Sequence, residues 1–190
     1  MLSQTDSSFD LRDIMDCGKI LLLDLSWLSS EARDIFGRLM LTLLHLTAVG
    51  RRSHEANYSR PFHIYCDAAH RFVTDIMEDL MAETRRSNVS LTLAHQYMRQ
   101  FSTRKADALS SAGSTIIFRV DSNDAQHLRK DLQGKVELDE LITLEVGQAV
   151  ARIGSEVVRV RTLPPLVIPP VSCRDLIVQQ SHERYYRPMR

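Results

Sequence analysis

Four short, β-prone apolar runs alternate with stretches of helical periodicity, and this alternation limits the fold more than any other feature of the chain. The runs are 19–25 (KILLLDL), 62–66 (FHIYC), 89–94 (VSLTLA) and 114–120 (STIIFRV). The first is nearly continuous in apolar residues and bordered by Gly18 and Ser26, which predicts a strand buried on both faces. Ser29 or Ser30 can cap the helix that follows, with Glu31 in its first turn. Over 32–49, Ile35, Leu39, Leu43 and Leu46 recur at helical spacing. Helices are also expected over 73–86, with Ile76, Leu80 and Met81 inward, over 103–112, and over 123–132 behind a Ser122 cap. Strands alternating with helices predict an α/β fold, a parallel sheet covered on both faces.

Beyond residue 147 the pattern changes. Two β-rich runs, 148–153 and 156–163, meet at Gly154-Ser155, a two-residue hairpin signal. Pro164, Pro165, Pro169 and Pro170 then make an extended spacer. Ser172 can cap a last helix to about residue 183, before an end (RYYRPMR) with three arginines and two tyrosines. Residues 1–16 read as a polar lead-in, 17–163 as the folded unit, and 164–190 as a Pro-rich linker with a short helical, Arg-rich tail. Lys and Arg number 24, as do Asp and Glu, which excludes a chain-wide basic surface and leaves room only for a local patch. No apolar run approaches the ~20 residues that span a bilayer, and the polar, acidic start lacks the pattern of a signal peptide. Cys17, Cys66 and Cys173 are odd in number and widely spaced, which favours reduced thiols in a cytoplasmic setting.

Three segments can carry chemistry. The run 62–66 ends in Asp67, and an acid at the C-terminal edge of a strand is how nucleotide hydrolases hold Mg²⁺. The alternative is an Asp that caps the next turn. The run 89–94 ends in His95-Gln96, and a Gln there can orient water or contact a terminal phosphate, or merely leave the core. Arg85-Arg86, near the end of the intervening helix, can reach a neighbouring subunit's phosphate or simply complement the helix dipole. Other features are weaker. His63, Cys66 and His70 have a spacing that could suggest zinc, but in a strand His63 and Cys66 point to opposite faces. Cys66 has no activating base marked and reads as a buried thiol. Arg119 could contact phosphate or pair with Asp121 or Asp124. The arginines of the tail could touch DNA phosphates or lipid headgroups, or be an ordinary solvated end.

Taken together, strand-Asp, helix-Arg-Arg and strand-Gln resemble the second half of the motor domain in HerA/FtsK-type P-loop ATPases, closest to the TraG/TraD-like coupling proteins of conjugation and type IV secretion. The residues that carry the resemblance are KILLLDLS (19–26), FHIYCDAAHRF (62–72), ETRRSNVSLTLAHQY (83–97) and GSTIIFRVDSNDA (113–125), and it extends over about residues 10–188. It implies a RecA-like P-loop fold, ATP and Mg²⁺ as cofactors, DNA as partner, and a ring, usually hexameric, with nucleotide between subunits. It further implies contacts with secretion-channel proteins, and a cytoplasmic place, peripheral to the inner face of the cell membrane through the complete protein. In such a motor Asp67 would serve Mg²⁺, Gln96 would sense the γ-phosphate, and Arg85 or Arg86 would act in trans.

Two departures qualify that implication. The phosphate loop, GxxxxGK[ST], is missing: Asp13 stands where the first glycine would precede Gly18-Lys19, and Ile20 follows the lysine. The resemblance places this Walker A loop upstream of Met1, so an upstream half carrying it is expected as a partner. The position after the Walker B Asp, where the family has a water-activating Glu, holds Ala68. Both favour the rival readings: a non-catalytic DNA-binding or assembly module, or an inactive gene remnant. In RecA-like domains the strand feeding the phosphate loop lies between the counterparts of 89–94 and 114–120. Without it those two runs must pair with each other or expose edges.

Overall fold

The computed structural model describes residues 9–51, 60–73, 81, 87–167 and 171–185. Helices α1 (Leu11–Asp16) and α2 (Ser30–Gly50) come first, then strands β1 (Phe62–Cys66) and β2 (Val89–Leu93). Helix α3 (Thr103–Ser110), strand β3 (Ser114–Ile117), α4 (Ser122–Asp131) and α5 (Leu138–Thr143) follow. Strands β4 (Gln148–Ile153) and β5 (Glu156–Arg161) and helix α6 (Arg174–Tyr185) complete the order. The architecture is mixed α/β, as the alternating pattern predicts. Of the helix expected over 73–86, most lies outside the described residues, with Met81 helical.

Two sheets form. Strands β1 and β2 are parallel, Phe62 opposite Val89 and Cys66 opposite Leu93. Strands β3, β4 and β5 are antiparallel, in that order. The expected hairpin is present: Ile153 faces Glu156, and Gly154 takes φ +61° in the turn, a conformation that costs glycine nothing. As the central strand, β4 is buried along Ala149, Val150 and Ala151. β2 and β3 are not paired with each other, so the second expected outcome holds: each has an edge without a ladder partner among the described residues.

Each sheet has its own apolar packing. Met15 of α1, with Leu44 and Ala48 of α2, packs against Ile64 and Val89 of the parallel pair. Thus α1, within the stretch expected to be a lead-in, contributes a fully buried side chain. The larger cluster gathers Ala125, Leu128, Leu132, Val136 and Leu141 around Ile117 and Val150, and Leu91 and Leu93 of β2 pack against it. Helix α2 begins as expected, with Ser29 Oγ accepting from Ala32 N at 3.3 Å. Where Phe72 crosses α2, Gly37 leaves room for the ring, and a Cβ there would overlap it. Gly to Ala in a helix interior gains about 1 kcal/mol, whereas overpacking costs about 1–3 kcal/mol. Gly37→Ala is therefore expected to lower the urea midpoint; an unchanged or raised midpoint would show that the ring can move aside.

One strand expectation is corrected. Residues 19–25 have no regular structure, and Ile20 and Leu22 are 87% and 72% exposed. The backbone there finds partners other than a ladder. The guanidinium of Arg33 donates to the carbonyls of Leu25, Ser26 and Leu28 at 3.1 Å each, and Asp24 Oδ1 accepts from Ser26 N at 3.0 Å and Ser26 Oγ at 2.6 Å. The run 114–120 is also shortened, with the strand ending at Ile117.

Candidate nucleotide edge of the parallel strands

The C-terminal ends of β1 and β2 are joined beyond the strands themselves. Ala94 N donates to the Cys66 carbonyl at 3.0 Å, and Ala69 N donates to the Ala94 carbonyl at 2.9 Å. The loops carrying Asp67-Ala68 and His95-Gln96 therefore leave the same sheet edge side by side. Asp67 and Gln96 are both exposed there. Asp67 Oδ1 accepts from Ala68 N at 2.8 Å, leaving Oδ2 without a partner among the described residues. Ala68 has φ 51° and ψ 43°, a left-handed conformation that a non-glycine residue adopts at a cost of about 1–2 kcal/mol. Such strain in a half-buried loop persists only where the surroundings over-determine it.

The surroundings do so. Arg71, one short 3₁₀ turn after Ala68, donates through Nε to Asp34 Oδ1 at 2.7 Å and through a second nitrogen to Ser30 Oγ at 2.5 Å. Arg38 Nε in turn donates to the Arg71 carbonyl at 3.1 Å. The loop after β1 is thus tied to the first turns of α2. On the other side, the buried Asp124 of α4 accepts from Met98 N at 3.0 Å through Oδ2, holding the loop after β2. Sequence reasoning singled out none of Arg71, Arg38 or Asp124 for this work. Asp124 N donates to the Asp121 cap, and an acid in a first helical turn is ordinary, so nothing local marks its reach to a loop 26 residues away.

Of the sequence candidates, the fold brings Asp67, Ala68 and Gln96 to one edge. Arg85 and Arg86 lie outside the described residues. The spacing of His63, Cys66 and His70 does not gather into a site: the imidazole Nδ1 of His63 lies 2.5 Å from Ser90 Oγ on the neighbouring strand. Burial pushes the Cys66 thiol up to about 11, so it stays protonated and unreactive at neutral pH. Arg119 is exposed, in the loop that follows β3.

No family model and no curated protein matches this chain. Solved structures do. VirB4 of Thermoanaerobacter pseudethanolicus superposes with TM-score 0.58 at 13% identity, covering 75% of this chain and 40% of that one. The genome packaging NTPase B204 from Sulfolobus turreted icosahedral virus 2, in complex with AMPPCP, gives 0.59 at 13%, covering 83% and 73%. The bacterial conjugative coupling protein TrwB gives 0.54 at 10%, covering 72% and 39%. The chain has the RecA-like fold of HerA/FtsK-type P-loop ATPases. This is the fold implied by the resemblance of its segments to coupling proteins. It spans well under half of the VirB4 and TrwB chains.

RecA-like and other open α/β sheets bind ligands beyond the C-terminal ends of their parallel strands, which is where Asp67 and Gln96 stand. The chemistry of Asp67 fits Mg²⁺, a hard cation commonly held by one or two carboxylates with phosphates and water completing its shell. A triphosphate is commonly cradled by a GxxxxGK[ST] loop, a pattern that these 190 residues do not contain.

His95 lies on the same edge, its ring edge-on to Phe101 with centroids 4.9 Å apart. Nδ1 of His95 and Nδ1 of His70 are both buried without hydrogen-bond partners among the described residues. Burial holds His95 below the ordinary imidazole value; the Asp124 carboxylate pulls upward, and His70 adds to the lowering. Below about pH 6.5 an unfolded His95 takes up a proton that the folded protein refuses. Its contribution to stability is therefore whole above that pH and declines as pH falls towards the lower folded value. Urea unfolding at pH 7.5 and 5.5 should show a smaller acid loss in His95→Gln than in the unaltered protein; equal losses would place the ring in water.

Proposed function

We propose that this chain is a portion of an ATP-driven, DNA-translocating motor of conjugative transfer or type IV secretion, completed by a polypeptide that carries the phosphate loop. The supporting observation is the pair of hydrogen bonds through Ala94, which sets the Asp67 and Gln96 loops side by side at the edge where this fold takes its ligands. B204, which shares the fold, has been captured with nucleotide analogues including ATP-gammaS. In this reading MgATP, when bound, supplies the phosphoryl group. Asp67 would hold the metal, and Gln96 would sense the terminal phosphate. Arg85 or Arg86 reaches that phosphate from a neighbouring subunit of a ring, hexameric by resemblance. The strand feeding the phosphate loop would enter between β2 and β3, each of which has an edge without a ladder partner among the described residues.

DNA is the transported or gripped polymer, and secretion-channel proteins are the outer partners. None of the described helices is long and apolar enough to cross a membrane, and the proposed place is cytoplasmic, at the inner face of the membrane through the complete assembly. The strained Ala68 in the water-activating position favours a second reading, a non-hydrolysing assembly subunit that keeps the fold.

The test is hydrolysis and DNA dependence. The chain alone should hydrolyse no ATP. Combined with the loop-bearing polypeptide it should bind MgATP, and its DNA affinity should fall steeply with salt and be indifferent to sequence, because phosphate contacts carry no sequence information. Robust hydrolysis by the chain alone, or tight salt-insensitive binding to one sequence, would overturn the reading.

A further inference from the structure

Two half-buried histidines stand where the loops of the candidate edge are joined. His70 lies in the short 3₁₀ turn Ala69–Arg71 that follows β1, and His95 lies in the loop that follows β2. The residues just before them, Ala69 and Ala94, share the 2.9 Å hydrogen bond that ties one loop to the other. Nδ1 of each ring is buried and has no hydrogen-bond partner among the described residues. A buried polar atom left without a partner is uncommon enough to require a cause. The roles given to Asp67 and Gln96 do not supply one.

The two protonation states of imidazole make different demands at such a place. A neutral ring can keep its proton on Nε2 and leave Nδ1 as a bare acceptor. An unsatisfied acceptor is tolerated more readily than an orphaned N–H. The imidazolium carries N–H on both nitrogens, so Nδ1 would have to donate where no acceptor stands. The neighbours of His95 offer little relief. Phe101 presents an apolar ring edge-on, and the Asp124 carboxylate of α4, which favours the charge, already accepts from Met98 N through Oδ2. His70, on the β1 side, opposes the charge. Close to His70 in the chain, Asp67 accepts from Ala68 N, Arg71 is bonded to Asp34 and Ser30, and Lys105 of α3 donates to the Val73 carbonyl at 3.2 Å.

We propose that His70 and His95 form a proton-operated latch between the two loops. With both rings neutral, the Ala69–Ala94 bond closes and Asp67 and Gln96 are held side by side. When a ring takes up a proton, the loops part at this edge so that Nδ1 can reach water. Parting here breaks only the backbone bonds through Ala94. The remainder of each loop stays fixed, by Arg71 to α2 on one side and by Asp124 to Met98 on the other. The latch needs neither nucleotide nor the loop-bearing partner. Its consequence, a weaker hold on MgATP as pH falls, rests on the motor reading, and the latch can fail while that reading stands, or the reverse.

The experiment follows amide hydrogen exchange of the full chain by NMR, corrected for the intrinsic rate at each pH. From about pH 7.5 to about pH 5.5, protection of the Ala69 and Ala94 amides should fall by up to about tenfold, the effect of one proton taken up by an opened histidine of ordinary pKa, about 6.5. Low concentrations of urea should leave this exchange unchanged, which marks a local opening and not global unfolding. His95→Gln should flatten the pH dependence, because a glutamine takes up no proton. His70→Gln is the second variant and should reduce it, with folding of both checked by circular dichroism. Protection that is constant with pH, that rises in acid, or that falls equally in the double variant would overturn the latch. Exchange of these two amides only through urea-sensitive global unfolding would do the same.

Discussion

Ala68→Glu is expected to speed ATP hydrolysis about 10²- to 10⁴-fold in the complex with a loop-bearing polypeptide, the range a positioned general base supplies. The methyl group of Ala68 can neither accept a proton nor orient water, while the loop around it is already held by Arg71 and by the Ala94 hydrogen bonds. Glutamate pays the same left-handed backbone strain as alanine at φ 51°, so the substitution should leave the loop geometry and the melting temperature nearly unchanged. Steady-state hydrolysis measured beside MgATP affinity separates the outcomes. A gain in rate at constant affinity supports the motor reading. No gain with binding intact would show that position 68 is not where water is activated, and the assembly-subunit reading would stand.

Asp16→Ala is expected to lower stability by about 2–3 kcal/mol, towards the low end for a broken buried ion pair. Arg51 is only 3% exposed at the end of α2. Its Nε lies 2.9 Å from Asp16 Oδ1, an ion-pair contact without hydrogen-bond alignment, and one terminal nitrogen donates to the Arg60 carbonyl at 2.6 Å. Removing the carboxylate leaves a buried guanidinium with one carbonyl among the described residues. The loss is at the low end because the Asp16 side chain is 39% exposed and water can partly replace it. For a chain of this size the melting temperature should fall by about 5–10 °C. Arg51→Met should cost less, since it removes the desolvated charge along with its partner. A larger loss in Arg51→Met than in Asp16→Ala would mean that the arginine's stem and its bond to Arg60 matter more than the charge.

These two sites differ in how far they could be read from the chain. Asp67, Ala68 and Gln96 were legible because each ends a short apolar run, and a strand's end is a local property. Phe62–Cys66 and Val89–Leu93 form where the apolar β-prone residues lie, the hairpin turns at Gly154, and Ser29 caps α2. Arg51 is a charged residue just beyond the helical run 32–49, and nothing local marks it for burial. What buries it is α1, arriving from more than thirty residues earlier with Met15 and Asp16.

The same distinction holds for the fold as a whole. Apolar periodicity, capping residues and turn chemistry determined which segments are helix or strand, because those preferences act over a few neighbouring residues. Pairing was decided only in three dimensions. KILLLDL has the composition of a buried strand, yet its Leu25 carbonyl goes to Arg33 and its Ile20 and Leu22 to solvent, because a ladder needs a partner edge that composition cannot supply. STIIFRV forms a shorter strand than its composition indicates and pairs with β4 rather than with β2. Asp124 and Arg71, which hold the two loops of the candidate edge, depend on contacts 26 and 37 residues distant. Such contacts form only when the chain has folded back on itself, so tertiary structure, and not local sequence, placed them.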